Sequence, residues 1–186
     1  MRIISGNFKG KKIFPPTNIN TRPLRDLVKE SIFNLIIHSK KFSCSLANSN
    51  ILDLFSGIGS FGLECISRDC KKVTFFENYI EALYVLKKNL KIFDIEKKYK
   101  IFEEDCFNFF DTKKFINEKF DIIFMDPPYK EKKINFLINI ILEKKILKEK
   151  GVIIIHRHKK DNIVISDKLK ILDQRNYGIS KIIIGN

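Results

Sequence analysis

The 186 residues, 44% of them hydrophobic, suffice for one domain with a substantial core and a short appendage, and exclude a second full domain. A formal charge of +13 favours a polyanionic partner, yet only Arg2, Arg22, Arg25, Arg68, Arg157 and Arg175 are arginines, and richness in Lys, Ile, Asn and Phe also reads as A+T-biased coding. Charge alone leaves nucleic-acid binding and a solvated lysine surface equally open.

Met1 to Lys12 alternates charged and apolar residues and lacks the apolar run of a secretory signal, so a cytoplasmic location is expected. Arg2-Ile3-Ile4-Ser5-Gly6 and Lys11-Lys12-Ile13-Phe14 read as a β-hairpin, and Leu24, Leu27, Val28, Ile32, Leu35 and Ile36 recur at helical spacing over Arg25 to His38. Ser43 to Asn50 reads as the exit loop of that helix. From there strands at Ile51 to Phe55, Lys72 to Phe76, Lys100 to Glu103, Phe120 to Met125 and Val152 to His156 alternate with helices. The helices are read at Ser60 to Arg68, Tyr79 to Phe93, Cys106 to Ile116 and Lys133 to Leu147. The most apolar stretch, Ile134 to Ile141, is interrupted by Asn135 and Asn139 and falls short of a bilayer span. Leu169 to Arg175 and Ile179 to Ile184, joined by Asn176-Tyr177-Gly178, leave no room for a crossover helix and predict an antiparallel pair. Cys44, Cys65, Cys70 and Cys106 form no C-x-x-C pair, so neither a disulfide nor a metal site is expected. The pattern is α/β, with residues 1–45 as an extension and 46–186 as the main domain.

Asp53-Leu54-Phe55-Ser56-Gly57-Ile58-Gly59-Ser60-Phe61-Gly62 sets a Gly-x-Gly-x-x-Gly between the first strand and its helix. Dinucleotide-binding proteins use the same spacing, so the loop alone does not choose the ligand. The acids around it do. Asp53, Glu77 and Asp105 stand at the carboxyl ends of three successive strands, where open α/β sheets bind ligands, and such crowding repels phosphate while suiting cationic S-adenosylmethionine. Glu77 can accept from both ribose hydroxyls and Asp105 from the adenine amine, with Phe55, Asn78 and Cys106 beside them; helix capping is an equal reading of Asp105.

Asp126-Pro127-Pro128-Tyr129 follows the fourth strand. Methylating an aromatic amine requires acceptors for its two hydrogens, because its lone pair, delocalised into the ring, turns nucleophilic only as the nitrogen pyramidalises. The Asp126 carboxylate and the Pro127 carbonyl supply two such acceptors on a proline-stiffened turn, and Tyr129 can stack on a base turned out of its helix.

Over nearly its whole length the chain resembles the RsmD-like family of 16S rRNA (guanine-N2)-methyltransferases. The resemblance runs through Met1 to Lys12, Arg22-Pro23, Val28 to Asn34, Asp53 to Glu64, the tetrapeptide and Arg175-Asn176-Tyr177-Gly178. It implies a Rossmann-like class I methyltransferase with a mostly parallel seven-stranded sheet, using S-adenosylmethionine on a guanine N2 of 16S rRNA in a partly assembled small subunit, as a monomer. Carried over by position, it implies cofactor contacts at Asp53, Gly57, Gly59, Glu77 and Asp105 and a reaction centre at Asp126 to Tyr129. Arg2, Lys9, Lys11, Arg22 and Arg25 are candidate RNA contacts; Arg22 and Arg25 read equally as ordinary exposed arginines at a helix start. Two departures stand out. Leu24, Arg25, Leu27 and Lys29 replace the family's usual helix start, and His156-Arg157-His158 stands where members tend to carry Val-Glu. His156 and His158 share a strand face without an acidic or cysteine partner at metal spacing, so this reads as a basic strand end. A DNA adenine-N6 methyltransferase and a catalytically silent RNA-binding assembly factor are the competing functions; the first lacks a target-recognition region here, and the second is disfavoured by the intact motifs.

Overall fold

Apolar runs without polar alternation, such as Ile51-Leu52 and Ile153-Ile154-Ile155, are satisfied only in strands covered on both faces. The computed structural model describes residues 1–17, 24–109 and 118–186. In chain order they form α1 (Asp26–His38), β1 (Asn50–Asp53), α2 (Ser60–Ser67), β2 (Lys72–Phe76), α3 (Ile80–Lys91), β3 (Tyr99–Phe102), α4 (Cys106–Phe109), β4 (Phe120–Met125), α5 (Ile134–Glu143), β5 (Leu147–His158), β6 (Ile171–Tyr177) and β7 (Ser180–Gly185). The seven strands make one sheet in the order β3-β2-β1-β4-β5-β7-β6. The first five are parallel, and β7 runs antiparallel to both β5 and β6. This is the α/β sheet with a C-terminal antiparallel pair that the sequence predicts.

Alternate residues of each strand serve opposite faces. Ile51, Val73, Phe75, Ile122, Phe124 and Ile154 pack with apolar residues of α1, α2 and α3, while Leu52, Ile123, Met125, Ile153 and Ile155 pack with Ile134, Leu137, Ile138 and Ile141 of α5. On the first face Phe33, Phe61 and Phe124 form a column, with Phe61 and Phe124 stacked at a centroid distance of 3.9 Å.

Two boundaries among the described residues differ from expectation by more than two residues. The helix read over Lys133 to Leu147 stops at Glu143, because Lys145 takes a left-handed φ of 52° and the chain turns back into the sheet. The fifth strand accordingly begins at Leu147, where the bulge after Phe120 lets a more polar stretch join the ladder. Of the helix read over Cys106 to Ile116, residues 110–117 lie outside the described residues. No helix among the described residues is long and apolar enough to cross a membrane.

The amino-terminal hairpin is narrow. Arg2 and Lys12 form a single antiparallel bridge, closed by Ile3 N–H to the Lys11 carbonyl and Gly10 N–H to the Ile3 carbonyl, each at 2.9 Å. Its hold on the sheet domain is polar as well as apolar. The wholly buried Glu64 of α2 accepts the Ile4 and Ser5 amides at 2.8 and 2.9 Å, with Arg68 at 2.9 Å and Lys29 at 3.7 Å as its counter-ions. Gly6, at φ +81°, presses so closely on α2 that an added Cβ would stand 1.9 Å from the Ser67 carbonyl oxygen. On α3, Asn89 accepts the Phe14 amide at 2.7 Å and donates to the Phe14 and Ile58 carbonyls at 3.2 and 3.0 Å. Removing one partner of a buried ion network strands the others, so Glu64→Ala is expected to lower the unfolding free energy by about 3–5 kcal/mol and to open residues 1–17 to limited proteolysis. A denaturant titration with a loss below about 1 kcal/mol would show that apolar contacts alone hold the extension.

Candidate functional site

The strand order turns at β1, which pairs with β2 on one side and β4 on the other. Crossovers leave in opposite directions from such a point and open a crevice at the carboxyl ends of the strands. The register sets Asp53 level with Phe124, and Leu54 N–H donates to the Phe124 carbonyl at 3.0 Å. Asp126, two residues on, therefore reaches the same crevice as Asp53. A cavity of about 540 Å³ opens there, lined among others by Asp53, Phe55, Ser56, Gly57, Glu77, Asn78, Asp126, Pro127, Tyr129 and His156.

Local chemistry shapes the first wall. The Ser56 hydroxyl donates to the Asp53 carbonyl at 2.8 Å and accepts the Phe76 amide at 3.1 Å, tying β1 to β2 below the loop. Gly59 begins α2 at φ +84°, and an added Cβ would stand 2.5 Å from Leu86 Cδ1, so the turn admits no side chain. The Gly57 N–H, the kind of donor a dinucleotide loop offers to a pyrophosphate, goes instead to Glu77 Oε2 at 2.7 Å. The other Glu77 oxygen takes the Tyr79 amide at 2.8 Å. A phosphate would meet a carboxylate here. Burial raises the Glu77 carboxyl above its ordinary value, partly offset by these amides.

Asp53 is 1% exposed, and among the described residues neither of its carboxylate oxygens has a partner in full hydrogen-bonding geometry. Burial pushes it well above the ordinary carboxylate range, helped by the charges of Asp126 and Glu77, and the Gly62 backbone amide offsets part of this. A buried acid so poorly supplied with donors, in a cavity with two further acids, suits a cationic ligand carrying an amino group and hydroxyls. S-adenosylmethionine has that chemistry, and the residues present fit it.

The second wall is the tetrapeptide, and β5 holds it. Arg157 is 1% exposed; its guanidinium donates to the carbonyls of Pro128, Tyr129 and Glu131 at 3.2, 3.0 and 3.0 Å and pairs with Asp161. The carbonyls taken all follow Pro127, and among the described residues no donor is bonded to the Pro127 carbonyl. His156 Nδ1 lies 2.7 Å from Asp126 Oδ1, and the His158 ring meets Tyr129 edge-on at 5.3 Å. His156-Arg157-His158 is therefore no basic strand end: the first two side chains are buried, and the acidic partner of His156 is Asp126, thirty residues away along the chain. Its signal in the sequence was two polar, ionisable residues directly after the core run Ile153-Ile154-Ile155.

All four tetrapeptide residues line the cavity, as do Asp53, Phe55, Gly57, Glu77, Asn78 and Arg25, while Gly59 stands at the helix start behind them. Asp105 and Cys106 are not in that lining; Asp105 Oδ1 accepts the Phe107 amide at 2.9 Å and caps α4. Arg2, Lys9 and Lys11 are exposed on the extension, outside the lining, with the Lys11 ammonium 5.0 Å from the Phe8 ring centre. Arg22 lies outside the described residues. Ser56, Lys130, His156 and Ser180 line the cavity without having been singled out as site residues by motif or spacing.

Known proteins are similar to this chain in sequence and in fold. A putative rRNA methyltransferase, YlbH of Bacillus subtilis, is 35% identical over 154 residues, spanning 83% of this chain and 80% of its own. The ribosomal RNA small subunit methyltransferase D of Buchnera aphidicola subsp. Acyrthosiphon pisum is 35% identical over 166 residues, spanning 88% and 81%. A solved putative methyltransferase, yhhF of Escherichia coli, superposes with a TM-score of 0.83 at 22% identity, over 100% of this chain and 96% of its own, a likeness of fold. The family model described as conserved hypothetical protein 95 matches residues 1–186, and the chain belongs to that family.

Proposed function

We propose that this protein transfers a methyl group from S-adenosylmethionine to the exocyclic N2 amine of a guanine in 16S rRNA, within a partly assembled small ribosomal subunit. The relatives named for ribosomal RNA methylation support the substrate class. The observation that carries the choice of an exocyclic amine is Asp126 with one oxygen held by His156, beside Pro127, across one cavity from Asp53 and Glu77.

When bound, S-adenosylmethionine supplies an electrophilic methyl on a sulfonium. Asp53 would meet its cationic amino-acid portion and Glu77 its ribose hydroxyls, with Phe55 and Asn78 on the same wall; Asp105 and Cys106, outside that lining, are candidates for the adenine beyond it. Asp126 Oδ2 and the Pro127 carbonyl each accept one hydrogen of the target amine, which aims its lone pair across the cavity. As the nitrogen–carbon bond forms and the carbon–sulfur bond breaks, Asp126 stabilises the charge growing on nitrogen; the surplus proton then leaves toward solvent. Tyr129 packs on the base, which must be turned out of any helix to enter. Arg25 and Lys130, at the same cavity, would meet neighbouring RNA phosphates, and Arg2, Lys9 and Lys11, on the extension, more distant ones; Arg22 remains a candidate from its sequence position.

The direct test is methylation of immature small-subunit particles with labelled cofactor, followed by nucleoside mapping: N2-methylguanosine is expected, and labelling of duplex DNA alone overturns the proposal. Asp126→Ala should cut turnover by at least about 100-fold while cofactor affinity by calorimetry changes less than about threefold, since Asp126 acts on the amine. Loss of both in equal measure would place Asp126 on the cofactor instead.

Asp53 makes a pH prediction. Its folded-state carboxyl lies above its unfolded value, so the folded protein holds the extra proton, and stability without cofactor falls as pH rises from the ordinary carboxylate value through the raised one. Asp53→Asn should remove that slope in thermal melts and weaken S-adenosylmethionine binding by about 10-fold or more. An asparagine variant that binds like the parent would dissociate Asp53 from the cofactor.

A further inference from the structure

A buried imidazole with both ring nitrogens bonded, one of them to the reaction-centre carboxylate, is more polar than packing alone requires. β4 and β5 are in parallel register with Met125 level with Ile155, so one step further brings His156 alongside Asp126. β5 and β7 are antiparallel with His158 level with Ser180, which delivers the Ser180 hydroxyl to the other side of the ring. His156 is 6% exposed and Ser180 3%. Nδ1 is 2.7 Å from Asp126 Oδ1 and Nε2 is 2.8 Å from Ser180 Oγ.

With an ionised carboxylate, which only accepts, and a neutral ring, Nδ1 carries the hydrogen toward Asp126 and Nε2 accepts from the Ser180 hydroxyl. Every polar atom of the ring is then satisfied, and the carboxylate selects a tautomer that the hydroxyl can serve. Among the described residues the Nδ1 bond is the side-chain bond that holds Asp126, whose side chain is 18% exposed. With it, Oδ1 is occupied and Oδ2 is the oxygen left for a substrate. Misplacing an acceptor by about 1 Å can cost roughly 100-fold in rate.

We infer that His156 is a positioning residue for methyl transfer, locking Asp126 so that Oδ2 faces the target amine, with Ser180 bonded to Nε2 to hold the ring in place. This rests on Asp126 accepting from that amine. A volume-filling leucine serves a merely structural role as well as histidine does; orientation of Asp126 needs a donor at the Nδ1 position.

The experiment measures kcat and KM on immature small-subunit particles, and cofactor affinity by calorimetry, for the parent, His156→Leu, His156→Asn, His156→Gln and Ser180→Ala. His156→Leu is expected to lower kcat about 10- to 100-fold with KM and cofactor affinity within about twofold. Asparagine sets an amide N–H close to where Nδ1 stands and should restore kcat to within about fivefold of the parent; glutamine reaches toward Ser180 instead and should not. Ser180→Ala should give a loss of about threefold. Leucine with parental kcat, or asparagine and glutamine with equal kcat, overturns the inference. Should the leucine variant fail to fold, the asparagine and glutamine pair decides alone. A parent that labels no guanine overturns the proposed function and this inference with it, whereas an active parent with indifferent His156 variants overturns only the inference.

Discussion

The parallel pairing of β1 with β4 sets two carboxylates, Asp53 and Asp126, into one crevice of low polarity, and the rest of the site can be understood as the management of that repulsion. Each acid receives a different solution. Asp126 gains an imidazole from β5, which holds one of its oxygens in a bonded network. Asp53 gains no such partner among the described residues, and its environment favours the protonated form. Two chemically identical groups thereby acquire distinct surroundings from the strands beside them, and in the proposed reaction distinct tasks.

The surrounding scaffold is arranged to keep both walls rigid. Ser56 links β1 to β2 below the glycine turn, and Glu77 occupies an amide that would otherwise attract anions. On the opposite wall three backbone carbonyls after Pro127 converge on one buried guanidinium. Arginine suits this because its planar fork reaches several acceptors at once and stays charged when buried. Loop stiffness here comes from prolines within and from a cation behind.

Much of this was legible in the residues. Buried strand runs, helical spacing and the short Asn176-Tyr177-Gly178 connection predict the sheet and its antiparallel edge, because each is a local pattern with one stable solution. The glycine turn and the tetrapeptide were legible for the same reason. What spacing does not reveal is lateral register. That His156 meets Asp126, or that Glu64 receives amides from residues 4 and 5, depends on which strand lies beside which and how far it slides. Asp105 carries two readings: it follows a strand, where a ligand contact is expected, and it starts a helix, where its carboxylate accepts the Phe107 amide.

One side chain joins the extension to the glycine turn. The Asn89 amide group bonds Phe14 of the extension through both its oxygen and its nitrogen, and the same nitrogen reaches the Ile58 carbonyl in the glycine turn. Displacement of the hairpin is thus transmitted to the glycine turn through this carboxamide, alongside the contacts that Glu64 makes from α2.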